Sequence, residues 1–357
     1  MKLVSHSAAF IITLSVFLVP ATAQEFSGFE MVKLDTNFVR VYRDELTTRI
    51  YLSRKQNGYN LSEGLATPWL RYRTNDNLLL GIGYTYTFLT INLAVKMPFI
   101  NKDDDIYGKS KYMDLTAHGI FRSTIVDLYL QWNTGYYISN PGNIIPDWEK
   151  DQGYPIRGDM RTNILGLNVQ YLFNSSRYSY KAAFLQNEFQ KRSAGSPIAG
   201  IEAHWMLGMT DSLMVPGTIP PFGFLNNAPF NRVDIVNMGI NGGYAHTFVW
   251  KEKLYLSLST TIGLSGGNNQ VHNTINSTTC CSNFTVGMTS SSRVSLGYNS
   301  HHYYVGLSWI HFTMRNRVGD QGNWFAYTTG NIRLNFVRRF NLKRPIKILR
   351  PDLWILH

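Results

Sequence analysis

The stretch VDLYLQWN, residues 126–133, places Val126, Leu128, Leu130 and Trp132 at every second position. Asp127, Gln131 and Asn133 fall on the opposite parity. A period of two puts one set on each face of an extended chain, so the stretch reads as a strand with one apolar and one polar face. The same rule governs Ile91-Asn92-Leu93-Ala94-Val95-Lys96-Met97. Leu165, Leu167, Val169, Tyr171 and Phe173 alternate with Gly166, Asn168 and Gln170. Leu254, Leu256 and Leu258 alternate with Tyr255, Ser257 and Ser259, and Ile332, Leu334 and Phe336 with Asn331, Arg333 and Asn335. No helical period of comparable length appears.

A soluble β-sandwich and a membrane barrel both alternate, so length and composition separate them. Several candidates reach about ten residues or more, enough for a tilted strand to cross a bilayer at ~9–11 residues, whereas sandwich strands centre on ~5–6. Aromatic residues make up 14% of the chain and charged residues only 16%. That balance suits strands that face lipid outside, a polar interior inside, and aromatic girdles at both interfaces. The expected fold is an all-β, closed antiparallel transmembrane β-barrel of about 12–14 strands over residues 47–340. Candidate strands include 110–121, 124–136, 159–173, 177–190 and 197–211. One feature conflicts. The long connection 137–158 falls on the opposite parity to 212–231 and 265–283, so either one strand is misassigned or the barrel carries a sizeable periplasmic loop.

The chain start points to export. Lys2, the apolar run Ala8 to Val19, Pro20 and Ala21-Thr22-Ala23 compose a signal peptide over 1–23, with cleavage after Ala23. The apolar run is shorter than the ~20 residues of a membrane helix, and no cysteine stands at the cut to carry lipid. An N-terminal periplasmic segment, 24–46, precedes the barrel. A basic tail, 341–357, follows the aromatic end of the last strand at Phe340, an ending that resembles the assembly signal of bacterial outer-membrane barrels. Cys280 and Cys281 are adjacent in a polar stretch, where a bridge is strained and the role minor. The net charge of +11 is spread along the chain with one dense run near the C-terminus, which is not a basic patch on a recognisable nucleic-acid module.

Three stretches then carry a resemblance: WLRYRTNDNLLLGIGYTYTFLTINLAVKMPF (69–99), YGKSKYMDL (107–115) and YSYKAAFLQNEFQKRSAGS (178–196). Together they resemble the uncharacterised domain of unknown function 4421 family of Bacteroidetes. The resemblance implies an outer-membrane-associated β-protein and supplies no catalytic residues.

The remaining motifs carry no recognisable chemistry. Gly108-Lys109-Ser110 lacks the earlier glycine of a phosphate loop, whose place Asp103 takes, and a strand pattern follows where a helix is required. Asp103, Asp104 and Asp105 run consecutively rather than at the spacing that converges on calcium, so no metal or cofactor is expected. The histidines His118, His204, His246, His272, His301, His302, His311 and His357 stand in no Gly-x-Ser-x-Gly or His-Glu-x-x-His context. A candidate polar ladder in the lumen is formed by Gln186, Glu188, Gln190 and Arg192. The expected function is non-enzymatic: a small pore, scaffold or surface component of the outer membrane. The expected partners are outer-membrane lipids, lipopolysaccharide, the barrel assembly machinery and a small polar solute. The alternatives are a membrane-embedded hydrolase or acyltransferase using a strand histidine, and a soluble periplasmic protein binding lipid or glycan.

Overall fold

The computed structural model describes residues 13–18, 34–42, 45–64, 68–86, 89–97, 100, 102–217, 219, 229–273, 278–318 and 323–341. Most of the expected signal peptide, much of the 24–46 segment and the tail beyond Asn341 lie outside the described residues, as do the side chains of Cys280 and Cys281. In chain order the elements are β1 (Thr13–Leu18), β2 (Val39–Val41), β3 (Glu45–Ser62), β4 (Leu70–Arg73), β5 (Leu78–Tyr86) and β6 (Leu89–Lys96). A one-turn helix α1 (Asp104–Tyr107) leads to β7 (Lys111–Asp114), β8 (Ala117–Ile120), β9 (Thr124–Ile138) and β10 (Ile156–Leu172). Then come α2 (Tyr180–Phe184), β11 (Glu188–Gln190), β12 (Ala194–Met209), β13 (Arg232–Trp250) and β14 (Leu254–Asn273). Finally there are β15 (Thr278–Asn299), β16 (Tyr303–Val318) and β17 (Asn323–Asn341).

The sheet closes on itself. From β3 the order runs β17, β16, β15, β14, β13, β12, β10, β9 and β4, and β4 pairs with β3 to complete ten strands, every pair antiparallel. A closed ring leaves no backbone edge to be satisfied by lipid. Ten is fewer than the twelve to fourteen expected from sequence, for two reasons. The candidate 177–190 does not enter the wall. Strands β5 to β8 do not run its full height: β5 and β6 hang on the lower half of β3, and β7 and β8 lie end to end along β9. The ring is therefore narrow where β4 closes it and broader below.

Removing 177–190 from the wall also resolves the parity conflict. The connection from β9 to β10 now leaves from the same end as residues 210–231, 274–277 and 319–322. The opposite end carries the tight turns 251–253 and 300–302 together with the outer ends of β3 and β17. We call these the loop end and the turn end.

Alternation has the expected sense in the lower wall. Leu254, Leu258, Ile262 and Leu264 of β14 are exposed on the outside, while Tyr255, Ser257, Ser259 and Thr261 are buried inside. Phe248, Trp250, Tyr298, Tyr303 and Phe340 ring the outer surface at the turn end, where amphipathic rings suit an interface. Nearer the loop end the sense inverts. Arg232 and Asp234 of β13 point out while Val233 and Ile235 are buried inside. Arg315 and Arg317 of β16 point out while Met314 and Val318 are buried. Strands β13, β14 and β15 are 19, 20 and 22 residues long, about twice the ~9–11 that a bilayer requires. The lower half has the polarity of a lipid-facing wall, and the upper half that of a water-soluble barrel with an apolar core.

Candidate functional site: an occluded luminal chamber

The inverted upper half fills its own mouth. Met214, Ile219 and Phe230 from the connection after β12 pack inside against Tyr59, Leu61, Tyr72 and Phe325. The Tyr72 hydroxyl donates to the Met214 carbonyl at 2.5 Å. Arg157, which pairs with Asp159 at 3.0 Å, also donates to the carbonyls of Leu213 at 2.9 Å and Met214 at 3.2 Å. One guanidinium thus holds an otherwise irregular loop in the barrel mouth, since its planar fork serves several oxygens at once.

The turn end is stopped by the connection between β10 and β12. Ser179 caps α2, its hydroxyl accepting from the Ala182 amide at 3.1 Å. Tyr178, Tyr180 and Leu185 pack against Ile125, Leu172 and Ile198 of the wall. The carbonyls that so short a helix leaves unpaired are met by wall side chains. Ser295 donates to the Ala183 carbonyl at 3.0 Å, Arg49 to Leu185 at 3.1 Å and Arg339 to Gln186 at 2.7 Å. Strand β11 pairs with β2 beside α2 to complete the floor.

Between cap and floor lies a cavity of about 110 Å³, room for several waters. Two charged networks reach it. Lys55 donates to Asp114 at 2.6 Å, and Asp114 also accepts from Gln131 at 3.2 Å and from the Thr116 hydroxyl at 2.5 Å. Gln131 in turn accepts from the Tyr327 hydroxyl at 2.8 Å. The second network is His118–Asp127–Arg293: His118 Nδ1 lies 2.6 Å from one oxygen of Asp127, and Arg293 donates to the other. Asp127 is fully buried and Arg293 nearly so, which each tolerates because its charge is opposed.

Two further cations face the cavity without such an opponent. Arg49, 4% exposed, donates from one terminal nitrogen to Thr85 at 2.7 Å and to the Leu185 carbonyl, and its Nε has no partner. Arg333 lies over the Tyr51 ring at 4.5 Å, and its Nε is likewise unpartnered. Among the described residues no carboxylate forms an ion pair with either. Glycines on β5 make this possible: a Cβ on Gly81 would stand 2.1 Å from the Tyr51 ring, and one on Gly83 2.6 Å from Cγ of Arg49. The unpartnered amide oxygens of Gln186 and Asn335 line the same cavity, and Asn92, both of whose side-chain polar atoms are unpartnered, lies beside Arg49 across Gly83. A lumen with two guanidinium groups that no carboxylate contacts, and the free Asn92 amide nitrogen as a further donor, can hold an anion and orient it.

The four ladder residues occupy the floor rather than a wall strand. Gln186 ends α2 with φ of 59°. Glu188 accepts from Arg122 at 2.6 Å and from Ser179. Gln190 donates to the Arg177 carbonyl at 2.7 Å and accepts from the Ser179 amide at 2.8 Å. Arg192 is exposed, its guanidinium 6.0 Å from the Phe38 ring.

Of the histidines, His118 alone joins the chamber with a carboxylate in close contact. His204 is buried between Tyr129 and Phe312. His246 lies outside between Tyr244 and Phe248, His311 is 3.0 Å from Thr313, and His301 is 3.7 Å from Glu45. His272 stands 3.9 Å from Asp234, the His302 ring lies tilted against that of His301 with centroids 4.6 Å apart, and His357 lies outside the described residues. Asp104 and Asp105 form α1, and Asn75 donates to Asp103 at 3.3 Å and to Asp104 at 3.2 Å. Ser110 donates to the Gly135 carbonyl at 2.7 Å. The aspartates and Gly-Lys-Ser thus join β6 to β7. Sequence reasoning placed Arg333 on a polar strand face but did not single out Arg49, Lys55, Asp114 or Arg293. Their shared signal is a charge at the inward parity of a lower-wall strand.

No curated relative matches the sequence. Similar solved structures include the outer-membrane protease OmpT from Escherichia coli, at 10% identity and a TM-score of 0.33, covering 84% of this chain and 98% of that one. The translocator domain of the autotransporter NalP from Neisseria meningitidis is similar at 7% identity and a TM-score of 0.32, covering 82% and 88%. The monoaromatic hydrocarbon channel TodX is similar at 8% identity and a TM-score of 0.28, covering 83% and 91%. The family model described as Domain of unknown function (DUF4421) matches residues 33–340.

Proposed function

The chain belongs to the DUF4421 family, and for it we propose a non-enzymatic outer-membrane barrel that holds a small anionic solute in a closed luminal chamber. The observation that carries this is the pair Arg49 and Arg333, turned into the cavity without carboxylate partners. Burying a cation without a counter-charge in contact is costly; Asp114 acts on Arg333 only from beyond ion-pair distance, and a ligand anion would supply the contact. The turn end faces the periplasm in this proposal, as tight turns do in barrels of this class. Export by the signal peptide, insertion by the assembly machinery and contact with lipid and lipopolysaccharide belong to the same proposal. A cap and a floor that both close the lumen support a gated chamber over an open pore.

Equilibrium binding tests it. Purified barrel in detergent is titrated with propionate and with inorganic phosphate, and the result is compared with Arg333→Gln. Saturable binding of either anion, weakened at least tenfold by the substitution, is expected; no binding of either refutes the chamber. In planar bilayers the intact chain should be silent, and so should a chain whose floor, 174–192, is replaced by a short Gly-Ser turn, because the Met214, Ile219 and Phe230 cap still fills the mouth; conductance steps from either would refute the closed chamber.

A second function has one observation in its favour, the His118–Asp127 contact. A carboxylate on Nδ1 orients an imidazole as a general base. Arg293 on the same carboxylate offsets its charge, however, and the pair faces the chamber rather than the membrane. Hydrolysis of a chromogenic ester or peptide abolished by His118→Ala would establish the enzyme instead.

A further inference from the structure

The lower wall has one seam unlike the rest. Strand β6 runs from the turn end toward the loop end, and β7 and β8 run the opposite way, both paired with β9. Between them sits β1, residues 13–18, antiparallel to β6 with Thr13 opposite Ala94 and Leu18 opposite Leu89, and lying beside β8. Its direction makes it parallel to β8, so it joins one edge with the sheet's polarity and the other against it. Without β1 the lower wall has twelve positions: nine long strands, β5, β6 and the end-to-end pair β7–β8. Twelve is an even number, and β6 and β8 would then meet antiparallel, as in other single-chain barrels.

Residues 13–18 lie within the expected signal peptide. Once they leave, the seam is β6 against two four-residue strands interrupted at Leu115 and Thr116. Every other lower-wall seam among the described residues pairs eight or more residues, apart from those that β7 and β8 make with β9. Free backbone edges are costly in lipid, so the short seam closes when empty and is the weakest to reopen. The cavity lies directly behind it: Ala94 of β6 lines it from one side, and Asp114, Thr116, His118 and Ile120 from the other. Outside, Leu93 and Val95 flank the seam on β6, and Met113 and Leu115 flank it on the other edge, all exposed and apolar.

We propose that the β6/β7–β8 seam of the processed chain is a lateral gate, through which the chamber takes the head group of an amphipathic anion such as a long-chain carboxylate from the bilayer. The proposal rests on the anion-binding chamber above and names its ligand class. The Arg49 and Arg333 guanidiniums receive the head group. The cavity accommodates a carboxylate with a few waters and not a long alkyl chain, so the tail stays in the seam between Leu93, Val95, Met113 and Leu115.

The test uses full-length protein purified from outer membranes, its N-terminus determined by sequencing. A Cys280→Ser/Cys281→Ser background carries Leu93→Cys and Leu115→Cys, joined by a short, reducible thiol linker across the seam. A twelve-carbon carboxylate bearing a photoreactive group is cross-linked to the barrel in vesicles, with the matching alcohol as control. Labelling should fall on peptides of β6 and β7–β8, drop at least tenfold on linking, return on reduction, and fall at least fivefold for the alcohol. Labelling that ignores the linker or spreads evenly around the belt overturns the gate, as does a mature N-terminus that retains residues 13–18. Propionate separates the two failures: if it still binds, the gate alone is wrong; if neither carboxylate binds, the chamber is wrong as well.

Discussion

Arg293→Met is the substitution with the sharpest expected consequence. Arg293 is 3% exposed and Asp127 is fully buried. Asp127 accepts from Arg293 on one oxygen and from His118, at 2.6 Å, on the other. Methionine fills much of the arginine stem's volume, so packing over Tyr180, whose ring lies 5.5 Å from the guanidinium, is largely kept. What is lost is the compensating charge. Breaking one side of a buried pair costs about 3–5 kcal/mol, whereas replacing both members by neutral groups is often near neutral. Arg293→Met should therefore lower the unfolding free energy by ~3–5 kcal/mol, and Asp127→Asn with Arg293→Met should recover most of that loss. Urea unfolding in detergent micelles, followed by tryptophan fluorescence and by heat-modifiable gel mobility, measures both. A single variant that costs under about 1 kcal/mol, or a double variant as unstable as the single, refutes the account of Asp127 as a buried charge held by Arg293.

Three further expectations follow from the same geometry. Leu258→Arg, on the outward face of the lower belt, should cost ~2–4 kcal/mol in bilayer-refolded protein. Asn163→Arg, on the outward parity above the belt, should cost close to nothing; equal costs would refute the division of the wall into two halves. Gly81→Ala places a Cβ 2.1 Å from the Tyr51 ring, and should cost ~1–3 kcal/mol by overpacking while weakening propionate binding through Arg333; unchanged binding would show that Tyr51 does not position that guanidinium. Arg157→Met removes the donors that hold the carbonyls of Leu213 and Met214. Charge-assisted hydrogen bonds contribute ~1.5–3 kcal/mol, so limited chymotrypsin cleavage after Leu213 or Met214 should speed up at least tenfold; an unchanged rate would mean the cap is held by its apolar contacts alone.

The wall was legible because a lipid-facing strand alternates along its length, and 254–264 does so with Thr260 as the single polar residue at an outward position. The floor was not, for a local reason. Tyr178, Tyr180, Ala182 and Phe184 also fall at every second position, so 177–190 has the parity of a strand. Its first part folds as α2 because Ser179 caps it and because Ser295, Arg49 and Arg339, far off in sequence, meet the carbonyls of Ala183, Leu185 and Gln186, and its last three residues pair with β2 outside the wall. The same long-range dependence hid the site. Arg49, Arg293 and Arg333 each occupy an inward position on a different strand, and only ring closure turns three isolated charges into one chamber.

The resemblance of 69–99 and 107–115 to a known family came with no assigned catalytic residues, and the structure gives a physical reason for their joint presence. Asn75 of the first stretch donates from its backbone amide to the Ser110 hydroxyl at 2.7 Å, and from its side chain to Asp103, Asp104 and the Gly108 carbonyl at 3.3, 3.2 and 3.1 Å. Gly108, with φ of 76°, and Gly135, with φ of 85°, take the left-handed backbone that lets this turn press against β9; a Cβ on Gly135 would stand 2.2 Å from the Lys109 carbonyl. These contacts hold α1 against the link between β4 and β5. The two stretches therefore meet in a hydrogen-bonded knot that neither forms alone, and it ties the β4–β5 link to the β6–β7 connection.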